Sequence, residues 1–152
     1  MTFKRLVPLV VFVALIALDR LTKRYFLSHL SDRMGPFHII DLINHKNYGI
    51  IANVPLPRFV TITITSIAIA VIIFFIQHKQ QEASFQHVLA LHILLAGAIG
   101  NLWDRIHFGY VYDWLLLGGR SVVNAADIYI AIGMGWYLWS LQRSKYPTAP
   151  SL

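Results

Sequence analysis

The strongest constraint on this chain is a set of four apolar stretches, each close to the length of a bilayer-spanning helix. They run from Leu6 to Leu18, with an extension past Asp19 to about Leu27; from Phe59 to Ile76; from Val88 to about Trp103; and from Val122 to about Leu141. A helix of about 20 residues covers the hydrocarbon layer of a membrane. Inside lipid, every backbone polar group needs a partner within its own segment or a closed barrel, so these stretches are expected to be helices. Composition agrees, with 57% hydrophobic and 13% charged residues, against roughly 25% charged in soluble chains. The expected fold is an all-α membrane protein with four transmembrane helices, forming a single domain over residues 1–152.

The first stretch begins like a secretory signal, with Lys4-Arg5 before an apolar core. No small-x-small cleavage site follows it, and Asp19, Arg20, Lys23 and Arg24 come instead, so a retained first helix is expected. The connection 28–58 is long and broken by Gly35-Pro36 and Pro55-Leu56-Pro57. Between those breakers, Phe37–Ile43 and Tyr48–Ile51 look like short strands around a polar turn at Asn44–Asn47. A small sheet lying on the membrane surface and a short interfacial helix would fit this connection. The connection 77–87 is short and polar, and 106–121 contains Gly118-Gly119. The tail 144–152 is expected to be disordered.

Several chemistries are excluded early. There is no cysteine, hence no disulfide, thiolate nucleophile or cysteine zinc site. The seven histidines form no His-Glu-x-x-His pattern, and no Gly-x-Ser-x-Gly elbow is present. The net charge of +6 comes from basic residues at the edges of apolar segments, which suits anionic lipid headgroups better than nucleic acid.

The acidic residues are few, seven in all, and two of them bracket an apolar stretch. Asp113 lies in Val111-Tyr112-Asp113-Trp114 and Asp127 in Asn124-Ala125-Ala126-Asp127. A carboxylate beside a membrane segment is costly unless paired, wetted or protonated. On one continuous helix the two would stand about 21 Å apart. Gly118-Gly119 allows the chain to turn back and bring them together. Two adjacent carboxylates hold one proton between them, which suits acid–base work on a peptide bond. The alternative is that each aspartate caps a helix or pairs with an arginine.

Other polar residues group around this pair. Asn124 can cap the fourth helix or orient a carboxylate. Asn101, Asp104 and Arg105 lie at i, i+3, i+4 behind Gly97 and Gly100, either as a polar network or as an interfacial charge pair. The two glycines permit close helix approach. Asp19, Thr22 and Lys23 share a face, with an ion pair that holds the helix end as the simplest role. Asn47-Tyr48-Gly49 is either a plain turn or a site element. Ionisable residues cluster at one end of the segments, which favours an enzyme over an ion conduit.

Taken in order, Asp19-x-x-Thr22-Lys23, Asn47-x-Gly49, Gly100-Asn101-Leu102-x-Asp104-Arg105, Val111-x-Asp113-Trp114 and Asn124-x-Ala126-Asp127 resemble the lipoprotein signal peptidase (signal peptidase II) family, over about residues 6–141. The resemblance implies a membrane-embedded aspartyl endopeptidase that cleaves the signal peptide from a prolipoprotein before a diacylglyceryl-modified Cys, without metal or cofactor. It implies catalytic aspartates at Asp113 and Asp127, with supporting roles for Asp19, Lys23, Asn47, Gly49, Asn101, Asp104, Arg105 and Asn124. It further implies both termini in the cytoplasm, an active site and small sheet at the periplasmic face of the inner membrane, and inhibition by globomycin-type cyclic peptides. Counting charges gives the reverse orientation, with five basic residues on the terminal side and eight on the other. Membrane lipids are the other expected partners, and a monomer is expected. The chain departs from the family pattern at Arg20, Ile50-Ile51 and Val123, and in a short interval between the two aspartates.

Overall fold

The computed structural model describes residues 3–30, 40–50, 54–79 and 84–145. Among them the order of elements is α1 (Phe3–His29), β1 (Ile40–Asn47), α2 (Arg58–Lys79), α3 (Phe85–His107), β2 (Val111–Leu117), β3 (Ser121–Val123) and α4 (Ala125–Lys145). Each apolar stretch is helical. The fourth loses its expected start: Val122 and Val123 belong to β3, and the helix starts only at Ala125. Most of the tail expected to be disordered lies outside the described residues, and its first two residues end α4.

The helix α3 is the hub. It packs on α1, α2 and α4, and it buries an apolar seam of Leu91, Leu94, Leu95 and Ala98 against Ile72 and Ile76 of α2. Its other side packs against Ala125 and Tyr129 of α4. Arg58, the first residue of α2, donates to the carbonyls of Arg105 and Ile106. Those C-terminal carbonyls of α3 have no partner inside their own helix, so a cation there is doubly favourable.

Two helices, Arg58–His78 and Phe85–His107, are long and apolar enough to cross a membrane. The first is the more telling. Its mean hydropathy is 2.7, yet only 22% of its most apolar window is buried inside the protein. The core helix of a soluble protein would hide that face. Here Ile64, Ile67, Val71 and Phe74 are exposed, an apolar surface that water does not tolerate at this extent.

Small residues set how closely α3 and α4 approach. A Cβ at Gly97 would lie 2.3 Å from the Ala126 carbonyl oxygen, and one at Gly133 would lie 2.5 Å from the Leu94 nitrogen. A Cβ at Gly100 would meet Asp19 Oδ2 at 2.8 Å. At Gly97 and Gly100 the structure takes close packing: the space beside them is filled by this chain's own atoms. Gly133→Val therefore forces backbones apart, and we expect a loss of about 1–3 kcal/mol, read as a lower melting temperature in detergent.

The sheet is antiparallel in the order β1-β2-β3, with Asn47 opposite Val111, Leu42 opposite Leu115 and Leu117 opposite Ser121. This corrects the expected pairing. Asn44–Asn47 is not a turn but the second half of β1, and Tyr48-Gly49-Ile50 is not a strand. Polar residues here extend because β2, far away in sequence, supplies the ladder. Phe37–Ile39 and Ile51 lie outside the described residues. No interfacial helix occurs among the described residues of this connection, and its positions 31–39 and 51–53 lie outside them. The connection 106–121 holds a hairpin. Its turn places Gly118 at φ +59° and Gly119 at φ +65°, with Arg120 N–H donating to the Leu117 carbonyl at 3.2 Å. Two consecutive left-handed residues match the twist of a hairpin, and glycine takes them without strain.

Candidate active site

The polar residues meet where α1 and α3 end and α4 begins, under the sheet. Asn124 is the residue before α4, and its side chain accepts the Asp127 backbone N–H at 3.0 Å. In return Asp127 Oδ2 accepts the Asn124 backbone N–H at 3.1 Å. This is a reciprocal capping arrangement, which satisfies donors that the first turn of a helix leaves open. The cap does not exhaust Asn124. Its amide Nδ2 donates to Asp113 Oδ1 at 2.6 Å and to Asn101 Oδ1 at 3.3 Å. Both roles considered for this residue are therefore filled at once.

Asp113 reaches the same place from β2. It is fully buried, and Trp114 beside it stacks on Phe26 of α1 with ring centroids 4.1 Å apart, which pins the strand to the helices. Its second oxygen, Oδ2, accepts from Asn47 Nδ2 at 3.0 Å. Asn47 also takes the Gly49 N–H on Oδ1 at 2.9 Å, a local turn that aims its NH2 group at Asp113. Gly49 is buried, and a Cβ there would lie 2.2 Å from the Val54 carbonyl oxygen. Its own carbonyl accepts from Arg105 Nη2 at 3.0 Å. Asn47-Tyr48-Gly49 is thus both a turn and a part of the site wall.

Asp127 Oδ1 accepts from Asn101 Nδ2 at 2.7 Å. Asn101 Oδ1 accepts from Lys23 Nζ at 3.3 Å. Lys23 also pairs with Asp19 Oδ1 at 3.2 Å and Asp104 Oδ2 at 2.7 Å. Asp19 Oδ1 additionally accepts the Ala126 N–H at 3.2 Å, tying α1 to the start of α4. The expected Asp19–Lys23 ion pair is present, within a buried cluster larger than one pair. Asp104 and Arg105 do not pair with each other: Asp104 faces α1 and Arg105 faces Gly49. Thr22 folds back onto its own helix, donating to the Leu18 carbonyl at 2.9 Å.

Neither Asp113 nor Asp127 has an ion-pair partner among the described residues. Each is held instead by neutral amides. Burial, and next the charge of Asp127, push the Asp113 carboxyl up to about 7, against the donors Asn47 and Asn124 and the charge of Lys23. Its ordinary value is 3.8, so between about pH 4 and 7 the folded state holds a proton that the unfolded state has released. Stability supplied by this group therefore falls as pH rises through that window. Replacing it removes the slope: the melting temperature of Asp113→Asn relative to wild type is expected to rise from about pH 4 to 7, measured by thermal shift in one detergent.

A cavity of about 880 Å3 opens beside these groups. Asn47, Asn101, Arg105 and Asp127 line its polar end, and residues such as Ala68, Val71, Ile130 and Met134 make the rest apolar. It lies between α2 and α4, over α3.

This geometry has relatives. A model of the family described as "Signal peptidase (SPase) II" matches residues 11–143, most of the chain. The chain belongs to the signal peptidase II family. The lipoprotein signal peptidase of Syntrophus aciditrophicus (strain SB) is 36% identical over 145 residues, covering 84% of this chain and 89% of that protein. The lipoprotein signal peptidase of Buchnera aphidicola subsp. Schizaphis graminum (strain Sg) is 32% identical over 132 residues, 79% of this chain and 83% of that protein. A solved structure described as a bacterial membrane enzyme superposes with a TM-score of 0.78 at 22% identity, covering 96% of this chain and 93% of that one. A likeness at that identity establishes the fold, and the sequence relatives establish the family.

Within the signal peptidase II fold, two residues matter more than the sequence suggested. Arg20, given no site role from the sequence, binds Asp19, Asp104 and the Gly100 carbonyl. Arg58, given no site role from the sequence, closes the end of α3. No local signal marks Arg20, because its second acidic partner, Asp104, lies 84 residues away in the sequence.

Proposed function

We propose that this chain is an aspartic endopeptidase that removes the signal peptide from diacylglyceryl-modified prolipoproteins, cleaving before the lipidated Cys. The observation that carries the reading is that Asp113 and Asp127, neither in an ion pair among the described residues, share the amide-bearing residue Asn124 at the polar end of an apolar cavity. Two neighbouring carboxylates, one buried and one half-buried, disfavour ionising together and can hold one proton between them. One carboxylate then takes a proton from the attacking water. The other delivers a proton to the leaving amine. Asn101 and Asn47 orient the two groups, and Arg105 and Gly49 shape the wall beside them. Asp19, Lys23 and Asp104 support that arrangement from below.

The reading extends to the membrane. All four helices are at least 21 residues long, which supports four spans of one domain. Both termini then lie in the cytoplasm and the ionisable cluster near the periplasmic face of the inner membrane. The signal helix of the substrate occupies the apolar cavity while its two acyl chains stay in lipid. The enzyme works as a monomer, needs no metal, and is inhibited by globomycin-type cyclic peptides that occupy the same cavity.

The test is cleavage of a lipid-modified precursor by the purified protein in detergent. We expect a shortened, lipid-bearing product, no cleavage of the unmodified precursor, and an unchanged rate in EDTA. Equal cleavage of modified and unmodified precursor would remove the proposed specificity.

A further inference from the structure

Below the two proposed catalytic acids sits a cluster of four charges, three of them buried and the fourth, Arg20, partly exposed. Asp19 and Asp104 are buried, with 0% and 1% exposure, and Lys23 is at 5%. Each carboxylate gives one oxygen to each cation. Asp19 Oδ2 and Asp104 Oδ1 bind Arg20, whereas Asp19 Oδ1 and Asp104 Oδ2 face Lys23. Arg20 further donates to the Gly100 carbonyl at 2.9 Å, so its fork spans α1 and α3. A guanidinium has five donors in a fixed plane and suits two acceptors at once.

The consequence falls on Lys23. Its ammonium lies within ion-pair distance of Asp19 Oδ1 at 3.2 Å and Asp104 Oδ2 at 2.7 Å, and its hydrogen bond goes to Asn101 Oδ1 at 3.3 Å. Asn101 Oδ1 takes a second donor from Asn124. An amide oxygen held by two donors fixes which way the amide faces, and its NH2 group then points at Asp127. The direction of that amide is thus set from a distance.

We infer that Arg20 is a positioning residue for the peptidase reaction: by holding the outer oxygens of Asp19 and Asp104 it leaves Lys23 centred to hold Asn101, which in turn orients Asp127. Without Arg20, two buried carboxylates draw on one ammonium. Lys23 then moves toward them and away from Asn101, and the cluster gains one net negative charge. The charged groups facing this region are Asp19, Arg20 and Lys23 of α1, Asp104 and Arg105 of α3, Asp113 of β2 and Asp127 of α4. One more negative charge among them makes both catalytic acids harder to ionise.

The inference rests on the reading of Asp113 and Asp127 as the reacting pair, and its test separates the two. Full-length protein and a lipid-modified precursor are used to measure kcat and KM across roughly pH 5–9, with a melting curve for each variant. Arg20→Met is expected to lower kcat about tenfold with little change in KM, and to move the pH–rate profile up by about 0.5–1 unit. Arg20→Lys keeps the charge and is expected to restore the position of the profile while recovering kcat only in part. If Arg20→Met does not fold, Arg20→Gln, which keeps amide donors without the charge, is held to the same profile shift. A folded Arg20→Met or Arg20→Gln with wild-type kcat and an unmoved profile overturns the inference. So does a fall in rate that tracks only a lower melting temperature. Activity surviving in Asp127→Asn overturns the underlying reading instead.

Discussion

Asp127→Asn is expected to stay folded and to lose cleavage by about 10^3-fold or more, and Asp113→Asn to do the same. The substitution keeps the size of the side chain and removes the ability to take up or hand over a proton. Its structural cost is bounded by the contacts on the page. Asp127 accepts two hydrogen bonds, from Asn101 and from the Asn124 backbone. An asparagine keeps one acceptor and turns an NH2 group toward the other donor, a penalty of about 1–3 kcal/mol. Asp113 likewise loses one of its two amide partners. The readouts are therefore separable: turnover of a lipid-modified precursor, and melting in the same detergent. Retention of more than about a tenth of the wild-type rate by either folded variant would sink the two-carboxylate mechanism.

Lys23→Met is expected to cost the largest share of stability. The ammonium sits among two buried carboxylates and an amide oxygen. Removing one partner from a buried charge cluster leaves the others uncompensated, at about 3–5 kcal/mol. In a chain of this size that corresponds to a fall of roughly 10 °C in melting temperature. Asp19 and Asp104 would then share Arg20 alone. Adding Asp104→Asn to Lys23→Met rebalances the charge and is expected to regain part of the loss. A Lys23→Met protein that melts with wild type would show that water reaches this cluster and screens it.

The sequence made some of this legible and hid the rest for physical reasons. The four helices could be read because an apolar run of that length has few alternatives in lipid. The polar residues at one end could be read as a group because Asp19 with Lys23, and Asn101 with Asp104, share helix faces by their spacing, and Asn124 directly precedes α4. The strands were harder. Val111–Leu117 is a short apolar run, and such runs do not distinguish strand from helix by pattern alone. Asn44–Asn47 has the composition of a turn, yet His45, Lys46 and Asn47 pair with residues more than 60 positions away. Local propensity carries no record of that partner. Arg20 illustrates a third limit. Its acidic partner on α3 is 84 residues distant, so only the packed helices reveal that it completes a charge balance.

The glycine turn between β2 and β3 also bears on how such a chain can vary in length. Among the described residues, nothing lies within 4 Å of a Cβ built on Gly118 or Gly119, so the hairpin tip is open on its outer side. Residues inserted there would project outward. The rungs that pair Leu115 with Val123 and Leu116 with Val122 would keep their register, and Asp113 and Asn124 would stay where they are. Insertion of a single residue within either strand is different, because it turns every following side chain to the opposite face. The interval between the two acids is thus elastic at its tip and rigid at its base. A short interval in this chain and a longer one in a relative can frame the same pair of carboxylates.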